Sequence, residues 1–332
     1  MPEHYKRKER REASYLVRLA LEQYGLVPSR VQRLTDAFNT VYRIEMPGGV
    51  SYILRLNRPG RRNREEIENE IAWLQALLQD TSLTVPRPLP ARTGDYLVTL
   101  SLPEWEKPRY AVLFEWLPGR HCTQGLQPLT VRKMGRAMAT LHEHSLGWRP
   151  PHPTANETLD QAWPYARPAA LLTAQPDEWF PPDRLALYQK ATHTVEQALQ
   201  KMYSSQAHEL RLLHGDMHPG NIKLYGKNLN MLDFDDSLKG FPVQDVGVTM
   251  YYLQNYSTYT SLRSAFEQGY TEIRNWPEEY PGQLEIMMIA RELRLFSSVL
   301  NSTNPTYPAR IPGWLERAEP RLKRWLDRQE NL

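Results

Sequence analysis

In "ASYLVRLALEQYG" the apolar residues Leu16, Leu19, Ala20 and Tyr24 recur at helical spacing and stop at Gly25, which predicts an amphipathic helix. From Val31 the period shortens. "VQRLTDAFNTVYRIEMPGGVSYILRL" reads as strands, with Val41, Tyr42 and Ile44 leading into the Pro47-Gly48-Gly49 turn and Tyr52 to Leu56 returning. Helical spacing resumes over about 64 to 79, where Ile67, Ile71, Leu74 and Leu78 form one stripe. "VPRPLP" is a proline-punctuated connector. "DYLVTL" and "RYAVLFEWLPG" follow as two more strands, the second closing at Pro118-Gly119.

The pattern changes beyond Gly119. "LTVRKMGRAMATLHEHS" is helical, residues 147 to 182 are rich in Pro and Trp and read as irregular, and a helix is expected near 183 to 205. "IKLY" and "LNMLDF" flank Gly226-Lys227-Asn228 as a hairpin, and helices alternate with loops after 245. Strands and one internal helix come first and helices dominate later, so the expectation is an α+β chain with two lobes. Residues 1–115 are assigned to the first lobe and 116–332 to the second.

Composition changes this picture little. A chain of 332 residues with 41% hydrophobic and 24% charged residues is ordinary for a globular protein of about two domains. The net charge is +3, all of it contributed before residue 116, and a nucleic-acid binder would carry a stronger basic stripe. "KRKERR" at 6 to 11 is interrupted by Glu9 and reads as a solvated helix start rather than a membrane anchor. Cys122 is the single cysteine, and there is no apolar run long enough to span a membrane and no signal-like start. A cytoplasmic location, no membrane and no nucleic-acid partner are expected.

The candidate chemistry sits in "HGDMHPGNIKLYGKNLNMLDFDD", residues 214 to 236. His214, Asp216 and His218 alternate as metal ligands on a strand do, and His142 and His144 repeat the spacing. Pro219-Gly220 breaks that strand at once, however, and i, i+2 residues on a helix diverge. A phosphoryl-transfer reading fits better. Asp216 precedes Asn221 by the interval of the kinase pattern H-R-D-x-x-x-x-N, and the hairpin returns Asp233 toward Asn221. One carboxylate and one amide oxygen are hard donors suited to Mg²⁺.

"HGDMHPGN" followed by "LDFDD" resembles the aminoglycoside phosphotransferase/choline kinase family, a branch of the protein-kinase-like fold. "HPGNI", "DFDD" and "PVQD" are closest to its stress-response kinase A and type II homoserine kinase-like groups. The resemblance runs from about 30 to 325, specific in the second lobe and loose in the first. It implies a bilobal fold and ATP with Mg²⁺ as cofactors. It makes Asp216 the catalytic base, with Asn221 and Asp233 as metal ligands. His214 and His218 become scaffold of the catalytic loop. Asp245 would brace that loop, a role compatible with its equally good local reading as a helix cap.

A kinase also needs a base on a strand and an acid on the following helix. Arg55 shares a strand face with Ser51 and Ile53, and Glu70 lies beside the apolar stripe of the next helix, where an acid is costly unless paired. Glu66, one turn earlier, is the poorer partner. The family has Lys or Arg at this position, and arginine's planar fork suits phosphate oxygens. "TDAFNTVYRI" lacks the glycines of a protein-kinase loop, as glycine-poor loops of the family do, with Asn39 and Thr40 at its turn. "VLFEWLPG" resembles the adenine-binding hinge at Glu115, Trp116 and Leu117, where Trp116 is either a stacking platform or a core residue.

The acceptor is less legible. Asp235 and Asp236 would attract an amine or a second cation, or else are solvated turn residues. Trp148, Trp163 and Trp179 would wall an acceptor site, or simply pack. Three readings result: a small-molecule kinase for an amino alcohol or homoserine-like hydroxyl, a serine/threonine protein kinase of the stress-response type, and a silent nucleotide-binding regulator. The oligomeric state is not encoded in any motif.

Overall fold

A computed structural model describes residues 3–36, 39–101, 107–162, 179–205, 209–300, 309 and 311–330. The chain forms two compact units that interleave along the sequence. The first comprises Met1–His121, Arg149–Asn156 and Ile222–Asp235, and the second comprises the remainder.

The first unit is built on a six-stranded antiparallel sheet ordered β1 (Arg30–Asp36), β2 (Asn39–Glu45), β3 (Ser51–Asn57), β6 (Arg109–Glu115), β4 (Pro88–Leu89), with β5 (Leu97–Leu100) also paired to β6. Alternation along β3 sends Leu54 and Leu56 to one face, where helix α1 (Glu3–Tyr24) packs Leu16, Val17, Ala20, Leu21 and Tyr24. The helix starts well before the periodic stretch, although residues 1–11 are too polar to show it by pattern. Arg55 goes to the other face, toward helix α2 (Arg64–Asp80). Asn63 and Glu66 close a reciprocal capping box at 2.8 Å each, which fixes where α2 begins.

Hydrogen bonds explain the two inserted pieces. Asn69 of α2 holds 149–156 through His152 and Asn156 at 2.7 to 2.9 Å. The hairpin β9 (Ile222–Tyr225) and β10 (Asn228–Met231) pairs with β7 (Arg120–His121), while Lys223 and Asn230 donate to the carbonyls of Leu117 and Pro118.

Helices make the second unit: α3 (Pro128–Gly147), α4 (Pro182–Ser205), α5 (Pro242–Leu253), α6 (Tyr259–Thr271), α7 (Gln283–Leu300) and α8 (Ile311–Glu330), with a two-stranded ribbon of β8 (Arg211–Leu213) and β11 (Leu238–Gly240). Helices α3 and α6 approach so closely that a Cβ at Gly269 would lie 1.8 Å from the Arg132 carbonyl, so only glycine fits. Among the described residues no helix is long and apolar enough to cross a membrane.

Candidate active site

Strand β8 delivers the chain into His214-Gly215-Asp216, and Gly215 turns it with φ 78°. A Cβ there would sit 2.4 Å from the Asp236 carbonyl. Asp245, in the first turn of α5 and fully buried, receives the backbone N–H groups of His214 and Gly215 at 3.1 and 3.0 Å. Its Oδ2 also lies 3.1 Å from His142 Nε2. A carboxylate only accepts, so Nε2 carries the proton and Nδ1 accepts from the Tyr270 hydroxyl at 2.8 Å. Burial pushes the His142 pKa down, which keeps the ring neutral. Burial opposes the Asp245 charge, but His142, His214 and the Gly215 N–H outweigh it and hold its pKa low. His142 is therefore a brace of the loop and not a metal ligand.

Three further contacts shape the loop. His214 Nδ1 accepts the Asp216 N–H at 3.3 Å, and His218 Nδ1 accepts the Gly220 N–H at 3.0 Å. The His218 ring stacks on Tyr252 at 4.2 Å. Asn221 closes the short 3-10 turn Pro219–Asn221 by donating its Nδ2 to the Asp216 backbone carbonyl at 2.9 Å and to Oδ2 at 3.1 Å. That orientation leaves the Asn221 amide oxygen without a hydrogen bond to any described residue.

Asp216 itself has a partner that sequence reasoning missed. Arg291 of α7 reaches its Oδ1 through Nη2, which also donates to the Tyr252 hydroxyl at 2.9 Å. Burial opposes the charge on Asp216, but Arg291, His218 and His214 more than offset it and hold the carboxyl well below the usual carboxylate range. Asp236 contributes to the electrostatics of Arg291 and Tyr252 on this side.

In the first unit, Arg55 and Glu70 form a buried fork-to-fork pair at 2.7 and 2.5 Å, with Arg55 Cζ 5.3 Å from the Phe114 ring centroid. Burial works against the guanidinium charge, but Glu70, Asp235 and Asp233 raise the Arg55 pKa above its ordinary value. Glu66 instead serves the helix cap and Arg62. Asn57 lies on the same strand face as Arg55, and it too was missed. Its two side-chain polar atoms, Arg55 Nε and Asn39 Oδ1 are buried without hydrogen-bond partners. Buried unmatched groups concentrated on β2 and β3 suit a polar ligand such as a phosphate chain.

Several expectations change. Asn39 does not point from a loop toward phosphates through its amide nitrogen: it is buried, and Nδ2 donates to Asp235 Oδ2 at 2.5 Å. The Thr40 hydroxyl donates to Asp36 at 2.9 Å. Asp235 is not an open acceptor-binding acid, since it is 6% exposed and also lies 3.5 Å from Arg61. Asp236, by contrast, is half-buried beside the Arg291 cluster. At the hinge, the N–H groups of Glu115 and Trp116 donate to Arg87 and Ser51, and Leu117 O accepts from Lys223. Trp116 carries Arg43 and Lys223 over its ring at 4.5 and 4.2 Å. Trp148 and Trp179 are half-buried, and Trp163 lies outside the described residues.

Asp233 is the one non-glycine residue with positive φ, 67°, among the described residues. Backbone strain of this kind persists where a side chain must be aimed. Ile222, which follows Asn221, pairs with Met231, two residues before Asp233. Among the described residues there is no cluster of three or more His, Cys, Asp or Glu fit for a metal. Asn221 and Asp233 each carry a hard oxygen of the kind Mg²⁺ accepts from protein.

Residues 30–281 match the APH phosphotransferase enzyme family. Amicoumacin kinase of Bacillus subtilis (strain 168) is 24% identical over 282 residues, 83% of this chain and 80% of that protein. Homoserine kinase of Sinorhizobium medicae (strain WSM419) is 25% identical over 273 residues, covering 79% and 76%. In structure, the amicoumacin kinase hAmiN complex with AMP-PNP, Ca²⁺ and Ami superposes with a TM-score of 0.76 at 19% identity, covering 96% of both chains. With the matched segment spanning both the Arg55–Glu70 pair and the Asp216 loop, the chain belongs to the APH phosphotransferase enzyme family and is an ATP-dependent phosphotransferase.

Proposed function

We propose that the protein transfers the γ-phosphoryl group of ATP to a hydroxyl of a small metabolite, either an amino alcohol or a homoserine-like compound. The observation that carries this reading is the Asp216 carboxylate, kept ionised by Arg291 and held in place by Asn221. Oδ1 faces Arg291, while Oδ2 accepts from Asn221 Nδ2 at 3.1 Å and lies 3.6 Å from His218 Nε2. A carboxylate oxygen can accept more than one hydrogen bond, and Oδ2 would orient the acceptor hydroxyl. The hydroxyl oxygen forms the new bond to γ-phosphorus as the bond to the ADP oxygen breaks, and the hydroxyl proton passes to Asp216 and then to solvent. A carboxylate with so low a pKa takes the proton late, which suits a loose transition state governed by positioning.

Asn221 and Asp233 would hold Mg²⁺, which when bound neutralises phosphate charge. Arg55, fixed by Glu70, would reach phosphate oxygens through its unpartnered Nε. Since the Glu115 and Trp116 N–H groups and the Leu117 carbonyl are already engaged, the Trp116 carbonyl and the Leu117 N–H are the backbone groups of this segment that would face adenine. Residues 1–115 would form the nucleotide-binding lobe and 116–332 the catalytic and acceptor-binding lobe, in a cytoplasmic enzyme. The names of the related kinases, among them one for homoserine, support a small-molecule acceptor.

The test combines a thermal shift with a screen for ADP release. Mg·ATP at a hundredfold excess over Kd should stabilise the protein by about 2.7 kcal/mol, and chelating the metal should remove the shift. No Mg²⁺-dependent shift would refute the assignment. Labelling of casein or of the protein itself would point to the protein-kinase alternative, whereas binding without any transfer would point to a silent regulator.

A further inference from the structure

Arg291 and Arg294 lie one turn apart on α7, so both face the same side of the helix. Each is 6% exposed. Arg291 uses Nη2 for Asp216 and Tyr252, while its Nε is buried without a partner. The Arg294 guanidinium makes no hydrogen bond or ion pair with any described residue, and its Nη1 is buried. A guanidinium withdrawn from water without an anion is strongly unfavourable, and folding alone gives no reason to keep it.

Both arginines line a narrow cavity with Leu159, Leu199, Val248 and Met287. Gln244 also lines it, but its amide is engaged by the Phe241 N–H at 2.7 Å and the Leu159 carbonyl at 2.6 Å. Among the described residues no carboxylate lines the cavity, and the charges on its wall are the two arginines, with the neutral Gln161 beside them. The free volume is about 20 Å³, enough for one small polar group. Arg291 links the two places, since it lines this cavity and also contacts Asp216 Oδ1.

We infer that Arg291 and Arg294 form an anion subsite for the acceptor, and that the acceptor is a small hydroxy compound bearing a carboxylate. This rests on the phosphotransferase reading of Asp216. The carboxylate takes Arg294 and the free edge of Arg291, and the hydroxyl lies at Asp216 Oδ2. A bidentate arginine contact fixes the direction of the substrate as well as its charge. Simple amino alcohols lack the group these arginines require, which narrows the proposed acceptors to the homoserine-like side.

Compounds that differ only by the carboxylate provide the test: L-homoserine against 3-amino-1-propanol, L-serine against ethanolamine, and L-threonine against 1-amino-2-propanol. Each is measured with the full chain, both by ligand-induced thermal shift without nucleotide and by ADP release with Mg·ATP. At least one carboxylate compound should exceed its partner tenfold or more in kcat/KM, with the larger thermal shift. Arg294→Met should erase the preference, leave the Mg·ATP shift intact, and keep or raise the thermal midpoint of the ligand-free protein. Arg294→Lys should retain part of the preference and covers the case in which the methionine variant does not fold.

Equal or better performance by the amino alcohols in all three pairs, or no response to any carboxylate compound, overturns the subsite. So does a preference unchanged in Arg294→Met. A carboxylate-dependent shift without ADP release would leave the subsite standing and count against the kinase reading instead. Transfer confined to the amino alcohols would do the reverse.

Discussion

Breaking the Arg55–Glu70 pair should be costly, and unequally so from its two ends. The residues are 5% and 4% exposed and meet at two contacts of 2.7 and 2.5 Å. At about 4 Å between charges and an effective dielectric of about 20, such a pair is worth about 4 kcal/mol. Removing one partner of a buried pair typically costs about 3–5 kcal/mol, because the other charge is stranded. Glu70→Gln leaves Arg55 with Asp235 and Asp233 as residual anions, so a loss near the lower end, about 3 kcal/mol, is expected. Arg55→Met leaves Glu70 with no such second partner, and about 5 kcal/mol should be lost. The double variant Arg55→Met/Glu70→Leu fills the space without charge and should recover most of the stability, while Mg·ATP stabilisation stays abolished. Urea denaturation of the four proteins gives the coupling energy, and the thermal shift gives the nucleotide readout. Additive single losses, or single losses below about 1 kcal/mol, would refute the argument. Full Mg·ATP stabilisation of the double variant would show that the pair is structural only.

Three further outcomes follow from the site. Asp216→Asn should cut turnover by roughly 10² to 10⁴ with Mg·ATP binding retained, and should also destabilise the fold by about 3 kcal/mol because Arg291 loses its anion; kinetics and denaturation check both, and unchanged turnover removes Asp216 from its role. Asp233→Asn keeps a residue that tolerates positive φ, so stability should stay within about 0.5 kcal/mol while the Mg²⁺-dependent shift disappears in calorimetry. His142 has a folded pKa below its unfolded value of about 6.5, so the unfolded chain binds the extra proton. Stability attributable to His142 is thus fully present above about pH 6.5 and is lost as pH falls from there toward the folded pKa, by up to about 1.4 kcal/mol per pH unit; midpoints measured from pH 7.5 to 5 should show a slope that His142→Gln flattens.

Local geometry made much of the site readable. The interval from Asp216 to Asn221 is short, and one 3-10 turn closes it, so the sequence spacing and the hydrogen bond between them express the same backbone path. Period two on β3 and the helical stripe of α2 likewise put Arg55 and Glu70 on facing sides before any contact was known. The apolar stripe placed the start of α2 near residue 64, and the Asn63–Glu66 capping box is the contact that fixes it there. The hairpin around Gly226-Lys227 was legible for the same reason, since its register depends on neighbours in sequence.

Other parts had no local signature. Arg291 stands 75 residues from Asp216 in "RELRLF", where Arg291, Glu292 and Arg294 read as an ordinary charged helix. Packing of α5 against α7 buries them and gives each a different fate: Arg291 meets Asp216, Glu292 meets Arg321, and Arg294 meets the cavity. Asp235 lies next to Asp236 in sequence, yet Asn39, 196 residues away, and Arg61 claim the first while the second stays near Arg291. Residue identity and spacing alone therefore determined the Asp216–Asn221 turn, the hairpin that follows it and the strand-to-helix ion pair, because local backbone periodicity fixes how such neighbouring elements present their side chains. Only the tertiary structure decided which charges are buried, and beside whom, because burial and long-range partners depend on how distant elements pack.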